Sequence, residues 1–156
     1  MRTPVALLAA LGLAASLGCA DSPTSPTPGF PSGPRTGTWA GSLNDAANGE
    51  GTLRLTVTEV ATGTGQGFFS GTWTASFADP SKDAGGDLTG TVSGATGQLS
   101  LVRSTPLTCG GGGPFALLLG SFFAPSLSIS TTAITGAYQF QACSSVAGGT
   151  LDVRKQ

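Results

Sequence analysis

After Thr38 the chain alternates between apolar and hydroxyl-bearing residues with a period of two. Leu53, Leu55 and Val57 are separated by Arg54 and Thr56, and Phe69, Gly71, Trp73, Ala75 and Phe77 by Ser70, Thr72, Thr74 and Ser76. Leu88, Gly90 and Val92 alternate with Thr89 and Thr91, Leu99 and Leu101 flank Ser100, and Leu127 and Ile129 lie among Ser126, Ser128 and Ser130. Ile134, Gly136, Tyr138 and Phe140 alternate with Thr135, Ala137 and Gln139, and Leu151 and Val153 close the series. Successive side chains of an extended chain point to opposite faces, so this period marks half-buried strands. The Thr, Ser and Gln of the other set suit a solvated strand surface.

Turn residues punctuate the runs: Asn48-Gly49, residues 63–67, Asp79-Pro80 with Gly85-Gly86, residues 94–97, and Gly148-Gly149. Asn-Gly is the strongest signal, because a type I′ turn needs positive φ at both central positions. The pattern predicts eight strands, at 37–43, 51–60, 67–77, 86–93, 97–103, 126–131, 133–142 and 148–154. No stretch of the same region carries the apolar spacing of an amphipathic helix. Short turns between successive strands make an antiparallel meander, and closing it removes edges that would otherwise pair with other chains. The expected fold is therefore all-β, an antiparallel eight-stranded up-and-down barrel, with a β-sandwich as the alternative.

A short motif recurs within these strands. Gly37, Gly71, Gly90 and Gly136 each stand two residues before a large inward residue, Trp39, Trp73, Val92 and Tyr138. A strand glycine commonly marks a bend or a close backbone approach, which a small barrel needs in order to coil. Packing is the first reading of the motif, and a ligand-lining role for Trp39, Trp73 or Tyr138 is the second.

The front of the chain has a different character. A lone charge at Arg2 precedes an apolar run from Val5 to Leu17, which is too short to span a bilayer and reads as a cleaved export signal over residues 1–18. Residues 21–37, DSPTSPTPGFPSGPRTG, have almost nothing to bury and read as an extended spacer. At about 3.1 Å per residue such a spacer reaches on the order of 45 Å. The expected organisation is signal 1–18, tether 19–36 and one β-domain over 37–156, about 120 residues and enough for one core.

Ser16-Leu17-Gly18-Cys19 resembles the lipobox of bacterial lipoproteins, with Ser16 and Leu17 exchanged relative to the usual order. The resemblance implies that the Cys19 thiol takes a diacylglycerol, that the mature chain carries palmitate-type acyl groups, and that it attaches to the membrane through them. Ala20 stands where, by analogy with enteric lipoproteins, an aspartate would retain the protein at the inner membrane. The implied address is thus the outer membrane, with the domain in the periplasm or at the cell surface.

Composition narrows the partners. Seven Lys and Arg against eight Asp and Glu leave a net charge of −1, and there is no basic stripe to neutralise phosphates, so no nucleic-acid partner is expected. With Cys19 assigned to lipid, Cys109 and Cys143 remain, and in an oxidising compartment they are expected to pair. Such a bridge contributes roughly 3 to 4 kcal/mol in the chain-entropy treatment. The chain has no histidine, so two cysteines make an incomplete metal site and no ordinary Ser-His pair exists. No metal, no cofactor and no catalytic residue is assigned, and the chain is not expected to be an enzyme.

Three further features carry weaker chemistry. Asp79, Asp83 and Asp87 lack the order of an EF-hand loop and read as a solvated turn, with weak calcium binding as the lesser reading. Residues 110–113, four glycines, are followed by no Lys-Ser or Lys-Thr and are not a phosphate-cradling loop. Residues 115–123, FALLLGSFF, break the alternation and read either as a doubly buried strand or plug, or as an exposed patch at the barrel mouth.

The Gly37-Thr38-Trp39 motif, the Thr-Gly-Thr signatures and the strand number together resemble the calycins, the grouping of lipocalins and avidins. The resemblance implies a barrel holding a small hydrophobic ligand inside or at its mouth, lined by Trp39, Trp73, Phe77, Tyr138 and Phe140, with Phe115, Phe122 and Phe123 at the rim. It also implies an arginine packed over Trp39, for which Arg154 is the positional candidate. Ala40 and Gly41 stand where avidins place a tyrosine and an asparagine, so biotin is not expected. The alternative is a structural or interaction module with a filled barrel and an envelope protein as partner, since small barrels are often filled by their own side chains.

Overall fold

The computed structural model describes residues 33–105, 122–142 and 145–156. The leader, Cys19 and most of the tether, the expected Cys109–Cys143 pair, and residues 106–121 with Phe115 lie outside the described residues.

Among the described residues eight strands follow one another: β1 Gly37–Asp45, β2 Gly49–Gly63, β3 Gln66–Phe77, β4 Ala84–Ser93, β5 Thr96–Arg103, β6 Phe122–Ile129, β7 Ala133–Ala142 and β8 Ser145–Lys155. Each pairs antiparallel with the next, and β1 returns to β8 from Trp39↔Lys155 to Asp45↔Gly149. The sheet therefore closes as an up-and-down barrel and keeps no free edge, which a sandwich would have kept. The near end holds the start of β1 and the finish of β8. The far end holds the β1–β2 and β3–β4 connections.

Alternation decides what lies inside. Along β2, Leu53, Leu55, Val57 and Glu59 are buried while Arg54, Thr56 and Thr58 are exposed. The same phase puts Trp39 and Leu43 of β1, Phe69, Trp73 and Ala75 of β3, and Tyr138 and Phe140 of β7 into one apolar cluster. A polar outer wall around an apolar interior is the reverse of a membrane-spanning barrel, whose lipid-facing band is apolar.

Most strands run a few residues beyond the expected bounds, and three departures have a local cause. Strand β6 begins at Phe122 rather than 126, with Phe122 and Ala124 buried and Phe123, Pro125 and Ser126 exposed. Its pairing with β5 runs Leu99↔Ala124 and then Gly97↔Leu127, so β6 carries one extra residue beside Pro125. That bulge, at a residue with no N–H to donate, resets the alternation and hides the first half of the strand. At the first hairpin, Asp45 pairs with Gly49 across the three residues Ala46–Asn48, and only Gly49 adopts a left-handed turn conformation, with φ of 80°. This is the three-residue loop rather than a two-residue Asn-Gly turn. Finally, Gly33 and Arg35 are buried, so the domain starts before Gly37 and absorbs the end of the expected tether.

Of the repeated glycines, Gly71 shows most directly why the motif exists. Its φ is 153°, it pairs with Val57 and Leu88 on either side, and a Cβ there would run into the Thr56 carbonyl. Replacing Gly71 with Ala is expected to destabilise the barrel by about 2 kcal/mol or more, whereas Ser70→Ala on the exposed face stays within about 0.5 kcal/mol. Chemical denaturation of the two variants measures the difference.

Candidate functional site

All five side chains expected to line a chamber do point into the barrel. Trp39, Trp73, Tyr138 and Phe140 are almost fully buried, and Phe77 sits at the margin of the core. Four rings form a connected string. Trp73 meets Phe122 edge-on with centroids 5.1 Å apart, Phe122 meets Tyr138 at 4.8 Å, and Tyr138 stacks on Phe140 at 6.4 Å. Each such pair contributes about 0.5 to 1.5 kcal/mol beyond the area it buries. These side chains pack on one another and on the surrounding Leu, Ile and Val residues.

Their polar atoms are answered from within the protein. Trp39 Nε1 donates to the Arg35 carbonyl at 3.1 Å, and Trp73 Nε1 to the Val102 carbonyl at 3.3 Å. The Tyr138 hydroxyl donates to Asp45 Oδ2 at 2.6 Å, while Asp45 Oδ1 accepts from the backbone N–H groups of Ala47 and Asn48 at 3.0 and 2.8 Å. One buried carboxylate thus fixes the β1–β2 turn and ties it to β7. Burial, then the hydrogen bond to Asp45 and the carboxylate charge, push the Tyr138 phenol well above its ordinary value near 10.

The near end is closed by charge. Glu59 occupies an inward position, and its carboxylate accepts from Arg35 Nη1 at 2.8 Å and from the Arg35 backbone N–H at 2.7 Å. Arg35 Nη2 donates to the Gly94 carbonyl at 3.0 Å, and Gly33 N–H donates to the Glu59 carbonyl at 2.8 Å. Both side chains are buried, at 8% and 1% exposure. The Gly33–Thr36 segment therefore covers the near end of the barrel. An inward acid in phase with Leu53, Leu55 and Val57 was the available signal for this latch, and an acid there demands a cation.

Arg154 does not cover Trp39. Val153 points inward, so Arg154 faces outward with its side chain 61% exposed and paired to Asp152 at 3.0 Å. Arg35, on the opposite side of β1 in the chain, is the arginine that touches Trp39, through its carbonyl oxygen.

The turn carboxylates are occupied locally. Asp79 accepts from the Ser81 N–H at 3.0 Å, and hydrogen bonding from the Ser81 side chain and then its backbone holds the carboxyl below the usual range, while Asp83 accepts from the Phe77 N–H at 2.8 Å. Among the described residues no three His, Cys, Asp or Glu side chains gather as a metal site. At the far end, Phe123 and Val146 stand 46% and 69% exposed beside a shallow hollow of about 350 Å³ that also reaches Phe122 and Phe140.

No protein-family model, no curated protein and no solved structure matches this chain.

Two outcomes test the latches. Arg35→Met strands the buried Glu59 carboxylate and is expected to lower stability by about 3 kcal/mol or more, while Arg35→Met combined with Glu59→Met recovers much of that loss in thermal unfolding. The single tyrosine should not ionise in the folded protein near pH 10. Because the fold binds that proton more tightly, the stabilisation is intact below about pH 10 and is lost as pH rises above it. Tyrosinate absorbance should develop only together with unfolding.

Proposed function

We propose that this chain is an envelope lipoprotein whose filled, calycin-like barrel serves without catalysis as an interaction module, working through its outer wall. In this reading residues 1–18 are removed, Cys19 carries the acyl chains at the outer membrane, and the residues up to 32 form a leash. The leash joins the barrel at Gly33, so the near end faces the membrane and the far end faces the periplasm or the exterior. The Cys109–Cys143 bridge belongs to the same proposal, supported by export to an oxidising compartment.

The observation that carries the reading is the self-sufficiency of the interior. Tyr138 is answered by Asp45, Trp39 by Arg35 and Trp73 by Val102, and the rings touch. A ligand among them would have to displace packed side chains at several kcal/mol. A second reading, a small hydrophobic ligand at the mouth, is favoured by the exposure of Phe123 and Val146 around the far-end hollow.

Metabolic labelling with a palmitate analogue is expected to mark the full-length protein and to leave Cys19→Ser unmarked and released from the membrane. Wild-type protein that stays unmarked and soluble would overturn the anchor. Native mass spectrometry of the extracted protein should give the mass of the acylated chain alone, with both thiols closed to alkylation until reductant is added. A stoichiometric small apolar molecule would overturn the filled barrel in favour of the mouth.

A further inference from the structure

The outer wall carries a built hollow. On the far-end half of β1, β2 and β3 a concavity of about 590 Å³ opens to solvent, within the roughly 300 to 1,000 Å³ typical of small-ligand sites. Its cause lies on the other side of the sheet. Gly41 and Gly51 occupy inward positions on β1 and β2 and let each strand pack closely against a neighbour. A Cβ on Gly41 would collide with the Asp152 carbonyl, and one on Gly51 would sit 2.7 Å from the Phe77 ring. The missing side chains let β1 lie close against the β8 backbone and β2 against the Phe77 ring, and the wall outside them is concave.

The register fixes what lines it. Ala40, Arg54 and Thr74 form one outward row, and Ser42, Thr52 and Ser76 the next. Strands lie about 4.8 Å apart and alternate residues about 6.7 Å apart along a strand, so the two rows span roughly 10 by 7 Å, close to one pyranose ring with its substituents. Among the described residues none of the four hydroxyls has a hydrogen-bond partner, and no carboxylate lies within ion-pair distance of Arg54. Asp152, beside Ser42, is already engaged by Arg154, and Glu50 stands on the same face one row beyond Thr52 and two rows from Arg54. The floor is small, and no large apolar side chain faces outward from it.

We propose that this hollow binds a carboxylated sugar unit, of the uronic-acid type found in acidic polysaccharides. One guanidinium offers a planar fork that matches a carboxylate in bidentate fashion. The four free hydroxyls supply the mixed donors and acceptors that sugar hydroxyls require. The absence of an outward apolar pocket disfavours a peptide. The proposal rests on the reading of the outer wall as the working surface and names the class of partner.

The test uses the full mature chain in detergent, titrated by calorimetry and by amide chemical shifts with short oligomers of galacturonic and glucuronic acid, and with neutral gluco-oligosaccharides of the same length. At least one acidic oligomer should bind and shift the amides of Ser42 and Thr74, with the neutral sugars weaker by about tenfold or more. Arg54→Gln should reduce acidic-oligomer binding to the neutral level, and Ala40→Leu, which fills the hollow from outside the core, should abolish it. Failure of every acidic oligomer to bind, equal binding of neutral sugars, or insensitivity to both variants overturns the site. A bare native mass with intact acylation, alongside such a failure, removes the sugar site alone and leaves the anchored, filled barrel standing.

Discussion

Closure of the sheet upon itself is the constraint from which the rest of the molecule follows. Once β1 pairs with β8, every inward side chain shares one sealed space, and that space must be filled or left as a cavity at a cost. In this chain the described inward side chains gather in one apolar cluster. Leu53 and Leu55 from β2, Trp73 from β3, Phe122 from β6 and Tyr138 from β7 converge on the axis, and the glycine positions between them give the strands room to coil. Stability and shape are thus one problem here, because an outward shift of any single strand would expose its whole apolar set.

The two ends of the barrel use buried polar groups in the same way. At the near end Glu59 has no water to turn to and is held by Arg35, which arrives from outside the sheet. At the far end Asp45 accepts from two turn N–H groups and from Tyr138, far away in sequence. Neither is a strong source of net stability, since desolvation offsets much of the attraction. Their effect is selective: an incorrect register would leave a charge buried without a partner. The near-end latch also makes residues 33–36 part of the fold.

Much of this was legible in the alternation. The eight strands, their order and the identity of the inward aromatic residues follow from a period of two and from turn residues between runs. Residues that broke the rule were harder. Pro125 and its bulge shifted the phase of β6, so the first half of that strand merged with the apolar run before it. Glu59 and Asp45 sit in phase with apolar neighbours, a visible anomaly, yet their partners Arg35 and Tyr138 could not be matched from spacing alone. Arg154 was placed by analogy and failed on parity, because its neighbour Val153 takes the inward position. The outer hollow was not visible at all, since it depends on the register that sets inward Gly41 opposite Leu53 and inward Gly51 opposite Leu43 on adjacent strands.

The claim that the interior is complete in itself is most directly examined through the two tryptophans, which are the only ones in the chain and both lie inside. Tryptophan emission of the folded protein is predicted to be blue-shifted, shielded from acrylamide, and unchanged when a fatty acid or an aromatic apolar probe is titrated to saturation. Emission that acrylamide quenches readily, or that shifts stoichiometrically with an apolar probe, would contradict the filled barrel.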